Sequence, residues 1–367
     1  MKRVHILADD LTGALDCAAA FGAGVPVHLG QPGDERTAGI DIVATATRDV
    51  PLAHLAGLLQ PTLAWLSSAD LAFKKVDSLL RGNTFAEVDG VARQAHFAGL
   101  AMVPAFPAQG RLTEDGQQWW QRPGGERTAV AQSIRHTLTA QGWSVVGGVV
   151  PPERGAVPVA WVPDVRNEAE MDAVAVHAVN GARGWLWCGS AGLAHALAKF
   201  MPMPTAQTAT PVPSVAGGVV MLVSASHHEV TREQWRVLAQ SDWAGECFQG
   251  DDSHCLAGQT TDYPTLIDLS AQGPLTPSQA ASLLAQQVRL IALHAPRPRT
   301  LVVVGGDTLL ALCQALGAKG LRSEVPLARA GWGCARMQGG RWDGLLCHTR
   351  SGAFGGPDDL LQVLNSL

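Results

Sequence analysis

The chain has 367 residues, of which 47% are hydrophobic and 16% charged, and its formal net charge at pH 7 is −5. A chain of this length is too long for one ordinary hydrophobic core, so two domains are predicted. The negative net charge and the scattered Lys and Arg residues argue against a nucleic-acid partner, since such proteins usually carry a basic stripe.

The first apolar run ends at Asp9 and Asp10, which is too early for the core of a signal peptide. No segment reaches the roughly 18 uninterrupted apolar residues of a membrane span, so no membrane partner is expected. The seven cysteines are odd in number and lack C-x-x-C spacing, which indicates reduced thiols in a cytoplasmic protein. We expect three of them to be buried structural thiols, namely Cys17, Cys188 and Cys313.

Short apolar runs alternate with helical patterns, which predicts an α/β protein with mainly parallel sheets flanked by helices. In chain order, the predicted elements begin with strand Val4–Ala8, helix Ala14–Phe21, strands Ile40–Ala44, Leu100–Val103 and Trp185–Cys188, and helix Ala191–Lys199. They continue with strand Val219–Val223, helix Thr231–Ala239, strand Leu301–Val304, helix Leu309–Leu316 and strand Leu345–His348.

A proline-rich, uncharged stretch follows the helix Ala191–Lys199, and it predicts an extended connector. We place a linker at 206–214, between a substrate-binding domain at 1–205 and a nucleotide-binding domain at 215–367. A ligand cleft is expected between the two domains. The sequence leaves the oligomeric state open, with a homodimer as a reasonable expectation.

The turn Ala8–Ala14 contains two adjacent acids directly after a predicted buried strand. Asp and Thr are good helix caps, so simple N-capping is one interpretation. A cap needs only one such residue, however, and a second buried carboxylate carries a desolvation cost that capping does not require. We therefore favour a ligand-binding role, in which one of Asp9 and Asp10 faces the ligand and the other supports the turn.

Two further segments of the first half carry groups that suit an anionic, hydroxylated ligand. Phe73–Asn83 clusters basic and acidic side chains, and Arg81 has the planar fork that matches a carboxylate. Val103–Arg111 contains two prolines and a glycine, which predict a rigid loop; this loop either presents Arg111 to the ligand or, as the residues alone favour, is purely structural. The neighbouring tryptophans, Trp119 and Trp120, are predicted to be packing residues.

The second half has three turns with Gly or Ser after predicted strands, at Ser224–His228, Gly305–Thr308 and Thr349–Gly356. Paired glycines allow a close approach of the backbone to a phosphate. The chain lacks a Walker A motif, a G-x-G-x-x-G fingerprint and a protein-kinase H-R-D motif, so those enzyme classes are disfavoured. The His227–His228 pair is not at metal-binding spacing.

In this order, the motifs resemble the four-carbon acid sugar kinase family, formerly a domain of unknown function. The resemblance runs through nearly the whole chain and rests on six segments: Ala8–Ala14, Lys75–Asn83, Pro104–Arg111, Gly189–Ala194, Gly305–Thr308 and Ser351–Gly355. It implies an N-terminal domain that binds the sugar acid and a C-terminal domain that binds ATP. It also implies phosphorylation of the terminal hydroxyl of an acid such as threonate, erythronate or 3-oxo-tetronate.

The resemblance assigns roles position by position. The sugar-acid pocket would be lined by Asp9, Asp10, Thr12, Gly13, Lys75, Asp77, Ser78, Arg81 and Arg111. The nucleotide would be held by Ser226, Gly305, Gly306, Asp307, Thr308, Gly352 and Gly355. We expect Asp9 or Asp10 to be the general base, and Mg²⁺ to bridge the ATP phosphates, since the glycine turns supply no P-loop lysine.

This sequence departs from the family pattern at four places: Leu79, His228, the segment Ala330–Gly333, and Arg350. Three of them fall in the predicted nucleotide domain. Two alternatives to a kinase therefore stay open: a metal-dependent sugar-acid lyase or isomerase that uses no nucleotide, and a non-catalytic sugar-acid sensor.

Overall fold

The computed structural model describes residues 2–33, 39–122, 124–153, 157–181, 184–201, 219–243, 247–249, 265–271, 273–325, 331–352 and 354–367. The chain divides into two compact units, Met1–Thr205 and Ala206–Leu367. The predicted linker at 206–214 lies outside the described residues. Across the described ranges, no helix combines the length and the apolar character that a membrane span needs.

The first unit contains eleven strands and six α-helices within the described residues. Its first half comprises β1 (Val4–Ala8), α1 (Leu11–Phe21), β2 (Pro26–Leu29), β3 (Ile40–Ala44), α2 (Leu52–Ser67), β4 (Leu71–Lys75), α3 (Thr84–Gln94) and β5 (Gly99–Val103). Its second half comprises β6 (Arg111–Glu114), β7 (Gln117–Gln121), β8 (Arg127–Ala129), α4 (Ile134–Ala140), β9 (Ser144–Val146), β10 (Val159–Trp161), α5 (Glu168–Asn180), β11 (Trp185–Gly189) and α6 (Ala191–Phe200).

The main sheet of this unit is parallel throughout, with strand order β2-β3-β1-β4-β11-β5-β10-β9. Every residue of β1, β3, β4, β5 and β11 is buried. Their largely apolar sequences, rather than a regular polar–apolar alternation, are what a sheet covered on both faces requires. Helices α2 and α3 bury Leu59, Leu66 and Val88 in the core that covers one face of the sheet.

The second unit is built from β12 (Val220–Ser224), α7 (Glu229–Ala239), β13 (Cys247–Gln249), β14 (Thr265–Asp268), α8 (Pro277–His294), β15 (Thr300–Val304), α9 (Gly306–Leu316), β16 (Gly320–Ser323), β17 (Gly333–Gln338), β18 (Leu346–Arg350) and α10 (Asp359–Leu364). Its strand order is β13-β14-β12-β15-β18-β17-β16. The first five strands are parallel, and β17 pairs antiparallel with both β18 and β16.

The predicted α/β class with mainly parallel sheets is confirmed, and several element bounds shift by one or two residues. The predicted rigid loop that ends at Arg111 is wrong at that residue, because Arg111 begins strand β6. Strands β6, β7 and β8 form a separate antiparallel sheet that the sequence did not predict. Their polar and tryptophan-rich sequence lacks the apolar run that identified the other strands.

The cysteine prediction is confirmed where the structure describes these residues. Cys17, Cys188 and Cys313 are buried and free of disulfides. Burial raises the pKa of Cys17 and of Cys313 to about 12, so both thiols stay protonated near neutral pH.

Candidate functional site

The strand register of the first unit brings its polar turns to one edge of the sheet. Ala8 pairs with Ala44 on one side and with Lys75 on the other. Lys75 in turn pairs with Gly189, which pairs with Val103. The carboxyl ends of five parallel strands are therefore level, and ligands bind at this edge in open parallel sheets.

Asp9 and Asp10 share one partner, Arg48, which the sequence analysis did not single out. The Arg48 Nε and Nη2 atoms donate to the two carboxylate oxygens of Asp9 at 2.8 and 3.0 Å. The same Nη2 lies 2.8 Å from Asp10 Oδ1. The Asp9 side chain is 3% exposed, whereas that of Asp10 is 18% exposed, so only the second acid has an accessible carboxylate.

The charges of this cluster shift its protonation equilibria. Burial by itself would raise the pKa of Asp9, but Lys74, Lys75 and Arg48 together hold that pKa below its ordinary value. Burial likewise opposes the charge on Arg48, yet Asp10 and Asp9 raise its pKa. Asp9 is therefore an ionised, fully engaged carboxylate, which makes it a weak proton acceptor.

Asp10 also has the capping role that the sequence allowed. Its Oδ1 accepts a hydrogen bond of 3.0 Å from the backbone N–H of Gly13, in the first turn of α1. Thr12 lies in the same turn and is half-buried. The capping interpretation and the ligand-binding interpretation thus apply to the same residue, because the cap leaves part of the Asp10 carboxylate exposed.

Lys75 lies directly over Gly13. A methyl group added to Gly13 would lie 2.5 Å from Lys75 Nζ and 2.5 Å from Asp10 Oδ1, so this position has no room for a side chain. Burial acts to lower the pKa of Lys75, but Asp10 and Asp9 raise it above the ordinary value. The ammonium group of Lys75 is therefore a permanent positive charge beside the two acids.

Lys74 points to the other face of β4, as alternation along a strand requires. Its Nζ lies 2.7 Å from Glu87 Oε2, and both side chains are 1% exposed. Lys74 is thus neutralised within the core, while Lys75 faces the candidate site.

The Arg-Gly-Asn end of the Lys75–Asn83 motif holds the Arg48 loop in place. Gly82 has a φ of +69°, and a methyl group there would lie 2.4 Å from the Arg48 carbonyl oxygen. The Asn83 side chain donates to the carbonyl oxygens of Thr47 and Val50, at 2.9 and 2.8 Å. Arg48 follows the predicted strand Ile40–Ala44, which is the one sequence signal that pointed to it.

Asp77 anchors the turn between Lys75 and Gly82. Its carboxylate accepts from the backbone N–H of Leu79 at 2.9 Å and from the Arg81 side chain at 2.6 and 2.9 Å. Although burial favours the neutral acid, the hydrogen bonds and charge of Arg81 lower the pKa of Asp77. The Leu79 departure is accommodated because its contact with Asp77 is made by the backbone. Arg81 remains 66% exposed.

Arg111 and Ser78 are linked to this edge through the small antiparallel sheet. The Arg111 Nη1 atom donates to the Gln109 carbonyl oxygen at 2.7 Å. The carbonyl oxygen of Ser78, whose side chain is half-buried, accepts from Gln118 Nε2 at 2.8 Å. The structure thus places most of the predicted sugar-acid residues at one sheet edge, on strand ends, turns and the first turn of α1. Arg111 lies apart from them at the start of β6, in the small antiparallel sheet.

The second unit has the same arrangement. Ser224 pairs with Asp268 and with Val304, and Val304 pairs with Arg350, so these strand ends are also level. Gly305 follows β15 with a φ of +106°, and helix α9 begins at Gly306. In the first turn of α9, Asp307 is exposed and Thr308 is buried.

The turns after β12 and β18 contact each other. A methyl group on Gly352 would lie 2.2 Å from Ser226 Oγ, and the Gly352 carbonyl oxygen accepts from Thr231 Oγ1 at 2.6 Å. The Gly305 N–H donates to the Arg350 carbonyl oxygen at 2.9 Å, which links the turn after β15 to the same strand end. Ser226, Gly305 and Gly352 therefore lie on adjoining turns.

Gly355 has a different environment from the other predicted nucleotide residues. Its φ is +86°, and a methyl group there would lie 2.6 Å from Asp359 Oδ2. Asp359 Oδ2 lies 3.2 Å from Arg350 Nη1, so Gly355 lies against a buried ion pair. The structure thus gives Gly355 a steric role in the turn.

Two of the residues that depart from the family pattern, His228 and Arg350, make hydrogen bonds in the structure. His228 caps α7, because its Nδ1 accepts from the backbone N–H of Val230 at 3.3 Å. Arg350 donates to the Gln234 side chain and to the Phe354 carbonyl oxygen. Burial lowers the pKa of Arg350 to about 10, which leaves it charged at neutral pH. Ala330 lies outside the described residues.

Comparison with known families matches each unit to a model of its own. Residues 4–144 match a sugar-binding N-terminal domain, and residues 241–360 match a nucleotide-binding C-terminal domain. The two ligand classes of this protein are therefore a sugar and a nucleotide, which is the pairing found in a sugar kinase. The chain belongs to the four-carbon acid sugar kinase family, as the motif resemblance predicted.

Relatives of assigned activity align along almost their full length. A D-threonate kinase from Bordetella bronchiseptica is 29% identical over 408 residues, covering 99% of this chain and 97% of the relative. A D-erythronate kinase from Heliobacterium modesticaldum is 25% identical and covers 98% and 95%. A Salmonella typhimurium structure, solved as that of a proposed tRNA synthase, superposes with a TM-score of 0.73 at 18% identity over both whole chains, which shows the shared fold alone.

Proposed function

We propose that this protein is an ATP-dependent kinase that phosphorylates the terminal hydroxyl of a four-carbon sugar acid of the threonate, erythronate or 3-oxo-tetronate type. The observation that carries the proposal is the cluster of Asp10, Arg48 and Lys75 at the edge of the first sheet. It provides an accessible carboxylate beside fixed positive charges, and these are the groups that phosphoryl transfer to a hydroxyl requires.

Asp10 is the general base in this proposal. A base must lie within hydrogen-bond reach of the substrate hydroxyl, and Asp10 has the more exposed carboxylate of the two acids. Asp9 uses both oxygens to hold Arg48. Its lowered pKa further reduces its ability to take a proton. Asp9 is therefore the supporting acid: it holds Arg48 in place, and Arg48 in turn contacts Asp10.

The carboxylate of the sugar acid is bound by cations on the neighbouring turns. Lys75 supplies a buried point charge, and Arg81 presents an exposed guanidinium whose position is set by Asp77. Arg111 supplies a third cation from the start of β6. Two planar guanidinium groups and one ammonium suit a carboxylate that is flanked by hydroxyls.

The nucleotide is ATP in this proposal, held by the second unit. The N-terminal end of α9 and the glycine turn at Gly305 favour a phosphate. Ser226 and Gly352 form the adjoining wall. Asp307 and Thr308 occupy the first turn of the same helix.

Mg²⁺ accompanies ATP in this proposal. Within the described ranges, no three His, Cys, Asp or Glu side chains converge as a metal site. Mg²⁺ does not need such a cluster, because it usually keeps several waters and binds one or two carboxylates together with substrate phosphates. The ion would neutralise charge on the phosphates during transfer.

An ATP-consumption assay tests the proposal across D- and L-threonate, D- and L-erythronate and their 3-oxo derivatives. We expect turnover with one of these acids and none with a six-carbon sugar acid as control. Calorimetric titration distinguishes the alternatives. Acid binding without turnover would indicate a sensor, and turnover without ATP would indicate a lyase or isomerase; either result would contradict the kinase assignment.

A further inference from the structure

Trp120 in β7 pairs directly with Arg111 in β6. The guanidinium carbon of Arg111 lies 5.5 Å from the centroid of the Trp120 ring. A second guanidinium, that of Arg122, lies 4.5 Å from the same ring. Both distances are within the range of a cation–π interaction, which is strongest with tryptophan.

The face of β7 that carries Trp120 is fixed to the candidate sugar-acid site. Gln118 precedes Trp120 by two residues and therefore points to the same face. Its Nε2 donates to the Ser78 carbonyl oxygen at 2.8 Å, and its Oε1 accepts from Thr113 Oγ1 at 2.6 Å. Gln118 and Thr113 are fully buried, so this face of the sheet has a defined position against the Lys75–Asn83 turn.

Arg111 itself is held at one end of its guanidinium. Its Nη1 donates to the carbonyl oxygen and to the side-chain Oε1 of Gln109, at 2.7 and 3.0 Å. Its Nε is buried and has no hydrogen-bond partner among the residues that the structure describes. A buried donor without a partner is costly, and a carboxylate ligand would satisfy it.

The backbone before Arg111 leaves little freedom to reposition the side chain. Gly110 has a φ of +68°, and a methyl group there would lie 2.2 Å from the Gln121 carbonyl oxygen. The Gln121 N–H donates to the Gly110 carbonyl oxygen at 2.8 Å. The start of β6 is thus fixed to β7, and the Trp120 ring is a fixed surface beside the Arg111 guanidinium.

We propose that Trp120 is a positioning residue that holds Arg111 for the carboxylate of the sugar acid and thereby sets the affinity for the acid. This inference rests on the proposed function, in which Arg111 binds that carboxylate. A guanidinium that already lies against a flat ring loses less side-chain freedom when the acid binds.

The test compares Trp120→Leu, which removes the ring, with Trp120→Phe, which keeps an aromatic face. Trp119→Leu is the matched control. Trp119 lies on the opposite face of the same strand, where its ring holds Arg127 at 4.6 Å. Each variant is assayed for steady-state turnover with ATP and whichever four-carbon acid the wild type phosphorylates, and for calorimetric binding of D-threonate and D-erythronate without nucleotide.

We expect Trp120→Leu to raise the KM and the Kd for the acid about three- to tenfold. The kcat and the KM for ATP should stay within about twofold of the wild type, and Trp120→Phe should recover most of the loss. Trp119→Leu should leave the acid constants unchanged. Equal effects of the two leucine variants, or a fall in kcat without a rise in KM, would overturn the inference.

Crystal structures of the two leucine variants without bound acid test the inference even if no four-carbon acid is a substrate. Loss of the Arg111–Gln109 hydrogen bond in Trp120→Leu alone would support the positioning role. An Arg111 that keeps its position without the Trp120 ring would refute it. Failure of the proposed function would instead appear as a wild-type protein that neither binds nor phosphorylates any of the acids.

Discussion

The guanidinium carbon of Arg350 lies 5.1 Å from the centroid of the Trp332 ring, so one departure from the family pattern contacts the segment Ala330–Gly333, which is another. The two also share Asp359, which lies 3.2 Å from Arg350 Nη1 and accepts from Trp332 Nε1 at 3.2 Å. Gly331, whose added methyl group would lie 2.2 Å from the Phe354 ring, completes the cluster. The two departures thus contact each other, and we expect each to compensate for the other.

Arg350→Lys, which restores the residue usual in the family, should destabilise this chain. Lysine cannot reproduce the two guanidinium hydrogen bonds to Gln234 and to the Phe354 carbonyl oxygen, so buried acceptors lose their partner. We expect a loss of about 2 kcal/mol in the free energy of unfolding, measured with urea. Arg289→Lys, at an exposed position of α8, is the control and should be neutral. Equal stability of the two variants would argue against the compensation.

The general-base assignment predicts unequal effects of two isosteric substitutions. Asp10→Asn removes the proton acceptor, which typically costs about 10²–10⁴-fold in kcat. Asp9→Asn should retain more of the kcat but unfold at lower urea concentration, because Arg48 loses its doubly bonded partner. Turnover and urea unfolding are measured for both proteins. A larger loss of kcat in Asp9→Asn would reverse the assignment.

The Arg48 cluster predicts a pH dependence of stability. The folded-state pKa of Asp9 is lowered, so its contribution to stability is present above the unfolded pKa of 3.8 and is lost as the pH falls through the folded value. Arg48→Gln should lower the free energy of unfolding by about 3 kcal/mol at neutral pH, because it leaves a buried carboxylate without its main partner.

The difference between the wild type and Arg48→Gln should narrow as the pH is lowered from 7 toward 3, since a protonated Asp9 needs no cation. Urea unfolding at several pH values measures this. Arg236→Gln is the control, because Arg236 pairs with Glu233 on the exposed side of α7 and should show little effect at any pH. A constant difference between the wild type and Arg48→Gln would contradict the role given to Asp9.

Gly13→Ala should inactivate the protein without unfolding it. The new methyl group would lie 2.5 Å from both Asp10 Oδ1 and Lys75 Nζ, so the base and its neighbouring cation must move. We expect at least a 10²-fold loss in kcat/KM for the acid, since a misplacement of about 1 Å has that effect. Gly57→Ala is the control. Gly57 is exposed in the middle of α2 with nothing near its Cβ position, so alanine there should raise stability by about 0.5–1 kcal/mol.

Gly352→Ala tests the proposed nucleotide site of the second unit. Its methyl group would lie 2.2 Å from Ser226 Oγ, which forces the two turns apart. The KM for ATP should rise about tenfold or more, while the calorimetric Kd for the acid, measured without nucleotide, should not change. Gly356→Ala is the control. Gly356 lies four residues further on, and nothing lies within 4 Å of a methyl group added there, so this variant should behave as the wild type. An unchanged KM for ATP in Gly352→Ala would place the nucleotide elsewhere.

Much of this architecture follows from local sequence pattern. Strands such as Val4–Ala8 and Ile40–Ala44 were predicted with the bounds the structure shows, because buried parallel strands are predominantly apolar runs, even though these two include His5 and Asp41. Strands β6 to β8 could not be predicted, because their stability comes from cross-strand pairs such as Arg111 with Trp120 and not from apolar content.

Some residues of the candidate site could likewise be identified from the sequence, and others could not. The acids and cations of the predicted motifs were identifiable because they cluster in short segments, as Asp9 and Asp10 do directly after β1. Arg48 was not, because its importance arises from Asp9, 39 residues away in the chain. Gly82 and Asn83 were visible as a motif, but their purpose, to hold the Arg48 loop, depends on contacts with that distant loop. The sequence identifies the reactive side chains, but which of them lie together depends on contacts between loops that are far apart in the chain.

The contact between Gly82 and the Arg48 backbone has a consequence for how acid preference can change. Because it fixes the two loops to each other, we expect a substitution that reshapes one of them also to displace Asp10, the proposed base, through Arg48. The β6–β7 hairpin is fixed to the site at Gln118, while Arg111 and Trp120 on it are only half-buried. We therefore expect a change of acid preference, in nature or in the laboratory, to arise most easily from substitutions in this hairpin. Such substitutions would reshape the proposed acid pocket without moving the groups proposed for phosphoryl transfer.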